Sequence, residues 1–220
     1  MAQSQRHGFT FENSIRRWVF NLPSESNNTA THDIPKSSNH WNPKENCSIK
    51  SSGSNTICCG DILRFYNYDF TDKNTIINVK YTQKTPTEKV VETIYEIDYN
   101  RECHKLLFGD LTSEIIEEYV SNVKSIPRNV KGDEAKKIFD YLGAKAMLQQ
   151  KYPHQININP KVDGSQSRVQ CSISNFTKVL EGFITYQSPP ETPNLLRGKE
   201  IVATICSTPR QRHAKTSVTK

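Results

Sequence analysis

TICCGDILRFYNY (56–68), TIINVKYTQ (75–83) and KVVETIYEIDY (89–99) are the stretches on which the fold turns. Each is rich in β-branched and aromatic residues, and the breaks between them, DFTDKN (69–74) and the segment around Pro86, consist of turn formers. Three such runs joined by short turns predict an antiparallel meander, with Gly60 marking a bulge in the first strand. CSIKSS (47–52) predicts a shorter strand ahead of them, followed by the GSN turn (53–55). Outward from there, FTFENSIRRWVF (9–20) spaces Phe11, Ile15, Trp18 and Val19 along one face of an amphipathic helix. TSEIIEEYVSNVKSI (112–126) predicts a helix capped by Thr112 and ended before Pro127. DEAKKIFDYLGAKAMLQQKY (133–152) predicts a longer helix capped by Asp133 and stopped by Pro153. QININP (155–160), RVQCSIS (168–174) and EIVATICS (200–207) read as further strands. The class that results is mixed α/β (α+β): a central mixed β-sheet with an antiparallel meander, flanked by helices.

The chain has 220 residues, 35% of them hydrophobic, which supports one domain over 1–208 with a basic tail over 209–220. That tail carries Arg210, Arg212, Lys215 and Lys220 and no acid. Residues 21–46 show no periodicity and read as either a disordered segment or a DNA-contacting loop, the second favoured by His32, Lys36, His40, Trp41 and Lys44. Lys and Arg outnumber Asp and Glu by 29 to 23, a surplus of 6 that suits an anionic partner. No apolar run approaches the roughly 18 residues of a membrane span, and the first residues lack the apolar core of a signal peptide. The expectation is a cytoplasmic protein with no membrane partner. The six cysteines contain no C-x-x-C pair, and Cys58, Cys171 and Cys206 lie in apolar strand-like runs as small hydrophobes. There is no G-x-S-x-G, no glycine-rich phosphate loop ahead of a helix and no H-E-x-x-H, which removes three enzyme classes from consideration.

Asp61 and Lys80 carry the chemistry that remains. If their strands pair across DFTDKN, a carboxylate and an ammonium share one region of sheet. Phosphodiester hydrolysis needs such a pair: an acid to hold Mg²⁺ and a lysine beside the attacking water. Strand alternation sets Asn78, Lys80 and Thr82 on one face and Ile77, Val79 and Tyr81 on the other. The polar face is either a solvated sheet surface or a site, and Asp61 with Lys80 equally fits a turn acid and an exposed lysine.

GDI (60–62) followed by IINVK (76–80) resembles the paired motifs of the PD-(D/E)XK nuclease superfamily, and HGFTFENSI (7–15) is similar to its G-x-x-x-E helix start. Among its members the chain looks most like a type II restriction endonuclease, with a restriction-endonuclease-like sheet. The resemblance implies a Mg²⁺ site of Asp61, Glu12 and Asn78, with Lys80 positioning the hydrolytic water. Asn78 stands where the pattern has an acid, and Glu12 is the first candidate to compensate, ahead of Glu92 and Glu96. It also implies double-stranded DNA as substrate, cut to 5′-phosphate and 3′-hydroxyl ends, and a homodimer matching a palindromic site. Lys36, His40, Lys50, Gln83, Arg168 and Gln170 are the expected DNA contacts. Two alternatives stand beside this reading: a structure-specific nuclease acting on branched DNA, and a DNA-binding module without catalysis.

Overall fold

β3 (Lys73–Gln83) is the strand the rest of the molecule is built around. Its residues from Asn74 to Val79 are buried, so both of its faces are covered. β1 (Glu45–Ser52) runs parallel to it, with Lys50 opposite Asn78 and Ser52 opposite Lys80. β4 (Glu88–Asp98) returns antiparallel on the other side. Two short strands, β7 (Ile184–Gln187) and β10 (Thr204–Cys206), both pair with β4. The computed structural model describes residues 3–24, 31–127, 132–163 and 166–206, a mixed α/β structure with a curled mixed sheet flanked by helices.

The meander contracts to the β3–β4 hairpin. The stretch 56–68 is not one strand: β2 (Thr56–Asp61) bulges between Cys58 and Gly60, as expected, with Gly60 at φ +85°, and ends at Asp61, which accepts a hydrogen bond from the Arg64 amide at 3.0 Å. That bond caps α2 (Ile62–Tyr66) and turns the chain away. β2 instead joins a second sheet, in the order β2, β6 (Gln166–Ser174), β5 (Asn157–Asp163). β2 and α2 thus form the crossover that a parallel β1–β3 pair requires.

α1 (Gln3–Trp18) covers one face of the first sheet through Phe11 and Ile15, joined by Val19, Ile34, Ile77, Val79 and Ile94. Phe11 stacks on Tyr81 at 5.8 Å. Trp18, expected on this buried face, is instead 53% exposed. The opposite face packs on the second sheet, α2, α3 (Arg101–Phe108) and α4 (Ser113–Ser125), around Tyr99, Phe65 and Phe108. α3 follows directly on β4, where Asn100 accepts from the Cys103 amide and caps it. α5 (Asp133–Lys151) begins after Gly132, which takes φ +67°, so Asp133 opens the helix rather than capping it. The expected strand over 200–207 divides into β9 (Lys199–Glu200), paired with β8 (Leu195–Leu196), and β10. α6 (Phe176–Val179) is a single turn after β6. Cys58 and Cys206 are exposed, whereas Cys59 and Cys171 pack in the core. Among the described residues no helix is long and apolar enough to cross a membrane.

One buried ion network ties the ends of the chain together. Glu45, 2% exposed at its side chain, accepts both Arg197 nitrogens at 2.9 and 3.1 Å, the Thr75 hydroxyl at 2.6 Å and the Asn39 amide at 3.0 Å. Arg197 also donates to Glu96 at 2.6 Å. Burial works to raise the Glu45 pKa, but the hydrogen bonds from Arg197, Thr75 and Asn39 outweigh it and hold the carboxyl at about 2. Glu96 is therefore committed to the fold.

Candidate active site

The residues expected to form the site are placed as follows. Asp61 caps α2 and lies opposite Gln170 in the second sheet. Lys80 lies in the first sheet, where its ammonium meets Glu92 at 2.8 Å, and Glu92 also accepts from Thr82 at 3.1 Å. β2 and β3 are not neighbours in either sheet, so the structure does not pair Asp61 with Lys80. Lys80 instead borders a cleft of about 510 Å³ with Asn55, Tyr95, Thr177, Glu181 and Gln187. Asn78 is fully buried, donates to Ser52 at 3.1 Å and leaves its Oδ1 without a hydrogen-bond partner among the described residues. Glu12 is half-buried on α1, the helix that covers the face opposite Asn78 and Lys80. Among the described residues no group of three or more His, Cys, Asp and Glu side chains is arranged to hold a metal ion.

A different acid meets a different lysine. Ile34 forms a bridge with Cys47 through two backbone hydrogen bonds of 3.0 and 2.8 Å, which lays the end of the polar loop along β1. Ile34 is the only large aliphatic residue between Leu22 and Ile49, and it is fully buried. Alternation about that anchor sends the neighbouring Asp33 to the other face. There its Oδ2 accepts from the Ile49 amide at 2.5 Å and lies 3.5 Å from the Lys50 ammonium. The same ammonium donates to the Ile49 carbonyl at 3.2 Å. Each of the two side chains is 23% exposed, so the pair is sheltered yet reachable. Arg16 of α1 fixes the segment from behind, donating to the carbonyl oxygens of Asp33 and Pro23. Glu12 stands one turn earlier on the same helix face as Arg16.

Two more side chains wall this site. Tyr68 shares a hydrogen bond with Ser48 at 2.9 Å, and its ring meets His32 edge-on at 4.8 Å. His32 Nδ1 is buried with no hydrogen-bond partner among the described residues. Burial lowers the His32 pKa, Asp33 opposes that shift and Lys50 adds to it, so the ring is neutral at pH 7. For Lys50, burial pulls the pKa down, but Asp33, Tyr68 and Cys59 together outweigh it, and the value is raised. The lysine is an ammonium at neutral pH.

The expected DNA contacts divide between two regions. Lys36, His40 and Lys50 belong to the loop and strand around Asp33. Lys36 is tied to Asp72 at 2.6 Å, and His40 is exposed against Trp41 at 5.2 Å. Gln83 closes the β3–β4 turn through the carbonyls of Thr85 and Glu88. Arg168 and Gln170 sit on β6, in the second sheet, with Arg168 Nε buried and unpartnered among the described residues. Residues 25–30 of the polar loop and the tail at 209–220 lie outside the described residues.

Asp33 escaped the sequence reading because its loop lacks periodicity, Tyr68 because it reads as part of a strand, whereas His32 was among the residues that favoured a binding loop. The signal was present in HDIP (32–35): one aliphatic residue in a polar stretch, flanked by an acid and a proline, ahead of a strand that carries a lysine. Set against protein-family models, curated proteins and solved structures, the chain matches none.

Proposed function

We propose that the protein is a Mg²⁺-dependent endonuclease for double-stranded DNA, of the type II restriction kind, and that its catalytic pair is Asp33 and Lys50. The observation that carries this reading is the Asp33–Lys50 contact itself: a half-buried carboxylate and a half-buried ammonium, side by side, where a polar loop meets the central sheet. Mg²⁺ is commonly held by one or two carboxylates together with substrate phosphates. Asp33 is the carboxylate beside Lys50, and it would hold such an ion together with the substrate's phosphate oxygens. Such an ion supplies charge against the phosphate oxygens and a more acidic water.

The chain's own side chains do the rest. Lys50, protonated, offsets the negative charge that develops on phosphorus oxygens during in-line attack and orients a water beside Asp33. Its raised pKa suits it to this electrostatic task and not to taking a proton. The proton of that water passes to a phosphate oxygen of the substrate, because the unpartnered His32 Nδ1 is buried out of its reach. Tyr68 holds the His32 ring in place from its edge. The 3′ oxygen leaves, giving 5′-phosphate and 3′-hydroxyl ends.

The test is incubation of plasmid DNA with Mg²⁺ and the wild type, Lys50→Met or Asp33→Asn. Cleavage by the wild type and loss of at least about a hundredfold in either variant supports the assignment. Duplex binding without cleavage by the wild type leaves a DNA-binding module and overturns it.

A further inference from the structure

We infer that the end of α1 and the adjoining loop form a platform that stacks unpaired nucleobases, built from Arg17, Trp18, His40 and Trp41. This goes beyond hydrolysis at Asp33 and Lys50: it is a separate binding surface for single-stranded DNA. The chain has only two tryptophans, and both are left open, Trp18 at 53% and Trp41 at 43% exposure. Indole is the largest apolar side chain, and folding ordinarily hides most of it. Here the surrounding aliphatic and phenyl groups are hidden instead: Ile15, Val19 and Phe20 are 0–1% exposed.

Both indoles are anchored at the C-terminal end of α1. Trp41 donates its Nε1–H to the carbonyl of Val19 at 2.8 Å, which fixes it beside the residue that follows Trp18. That bond sets the ring's orientation, so stacking against it costs little further ordering. His40 lies against Trp41 at 5.2 Å and meets the Phe20 ring edge-on at 6.2 Å. The Arg17 guanidinium sits 5.1 Å from the centre of the Trp18 ring. Planar π faces with a guanidinium against one of them suit the bases and phosphates of a single strand. A duplex hides its base faces, so the rings favour unpaired bases.

Both tryptophans report on this surface, so their fluorescence is the probe. The experiment titrates the full chain, without divalent metal, with an oligo(dT) of about 15 nucleotides, the same sequence as a duplex, and heparin. The expected result is quenching by oligo(dT), weaker quenching by duplex, and none by heparin. Trp18→Leu and Trp41→Leu, at positions already half open to solvent, should each weaken oligo(dT) binding by about tenfold, measured by anisotropy of a labelled strand. Lys137→Ala, an exposed lysine of α5, should leave that binding unchanged, which separates this surface from the general positive charge of the chain. Equal response to oligo(dT) and heparin, or unaltered oligo(dT) affinity in both tryptophan variants, overturns the platform.

Discussion

Removing the charge of Glu45 should flatten the acid side of the protein's stability curve. Glu45 is nearly without solvent contact, and its carboxyl is held at about 2 against an ordinary value of 4.5. A depressed acid contributes stability that is fully present above its unfolded pKa and is lost as pH falls toward its folded one. The window is therefore pH 4.5 down to about 2, and the depression corresponds to about 3 kcal/mol at about 1.4 kcal/mol per pH unit. Urea unfolding of the wild type followed by circular dichroism should lose about that much between pH 5 and pH 2 from this group alone. Glu45→Gln should be less stable at pH 7, since Arg197 then faces a neutral partner, and its stability should vary less with pH across the window. Arg197→Met should cost about 3–5 kcal/mol at pH 7, because it leaves Glu45 charged, buried and short of two hydrogen bonds. A Glu45→Gln curve as steep as the wild type's between pH 5 and pH 2 would refute the reasoning.

Three further outcomes follow from the placement of single residues. Asp61→Ala removes the cap of α2 and should lower stability by about 1 kcal/mol, read from the urea midpoint. Lys80→Ala breaks an exposed pair with Glu92 and should change stability by less than about 1 kcal/mol in the same measurement, with cleavage unaltered. Gly109→Ala should cost at least about 2 kcal/mol, because Gly109 takes φ +54° and an added Cβ would collide with the Pro153 carbonyl.

The elements with strong periodicity were legible in the chain. The amphipathic spacing of Phe11, Ile15 and Val19 announced α1, the Thr112 cap and apolar row announced α4, and the run up to Pro153 announced α5, though its cap is Gly132 and not Asp133. Pairing was not legible to the same degree. β3 reads as a half-exposed strand, with Asn78 and Lys80 on a polar face, yet Asn78 is fully buried and bonded to Ser52. Alternation reports which residues share a face, and the partner layer decides whether that face meets water. The bulge at Gly60 was legible and is there, but the cap at Asp61 and the change of sheet depend on what β6 offers alongside. Trp18 shows the converse, a large apolar residue at core spacing that the fold leaves open.

The site followed the same rule. A carboxylate and a lysine near one strand were expected, and the structure holds such a pair, but at Asp33 and Lys50. Asp33 sits in a stretch without periodicity, and a single bridge between Ile34 and Cys47 brings it to the sheet. One buried isoleucine in a polar loop is a faint local mark with a long-range consequence.

The central claim is that Asp33, and not Asp61, is the carboxylate of the hydrolytic site. Its most direct measurement is the initial rate of Mg²⁺-dependent DNA cleavage by Asp33→Asn and Asp61→Asn, side by side, with folding verified by circular dichroism. The account predicts that Asp33→Asn loses cleavage while Asp61→Asn retains it. Cleavage that survives in Asp33→Asn and disappears in a folded Asp61→Asn would contradict it.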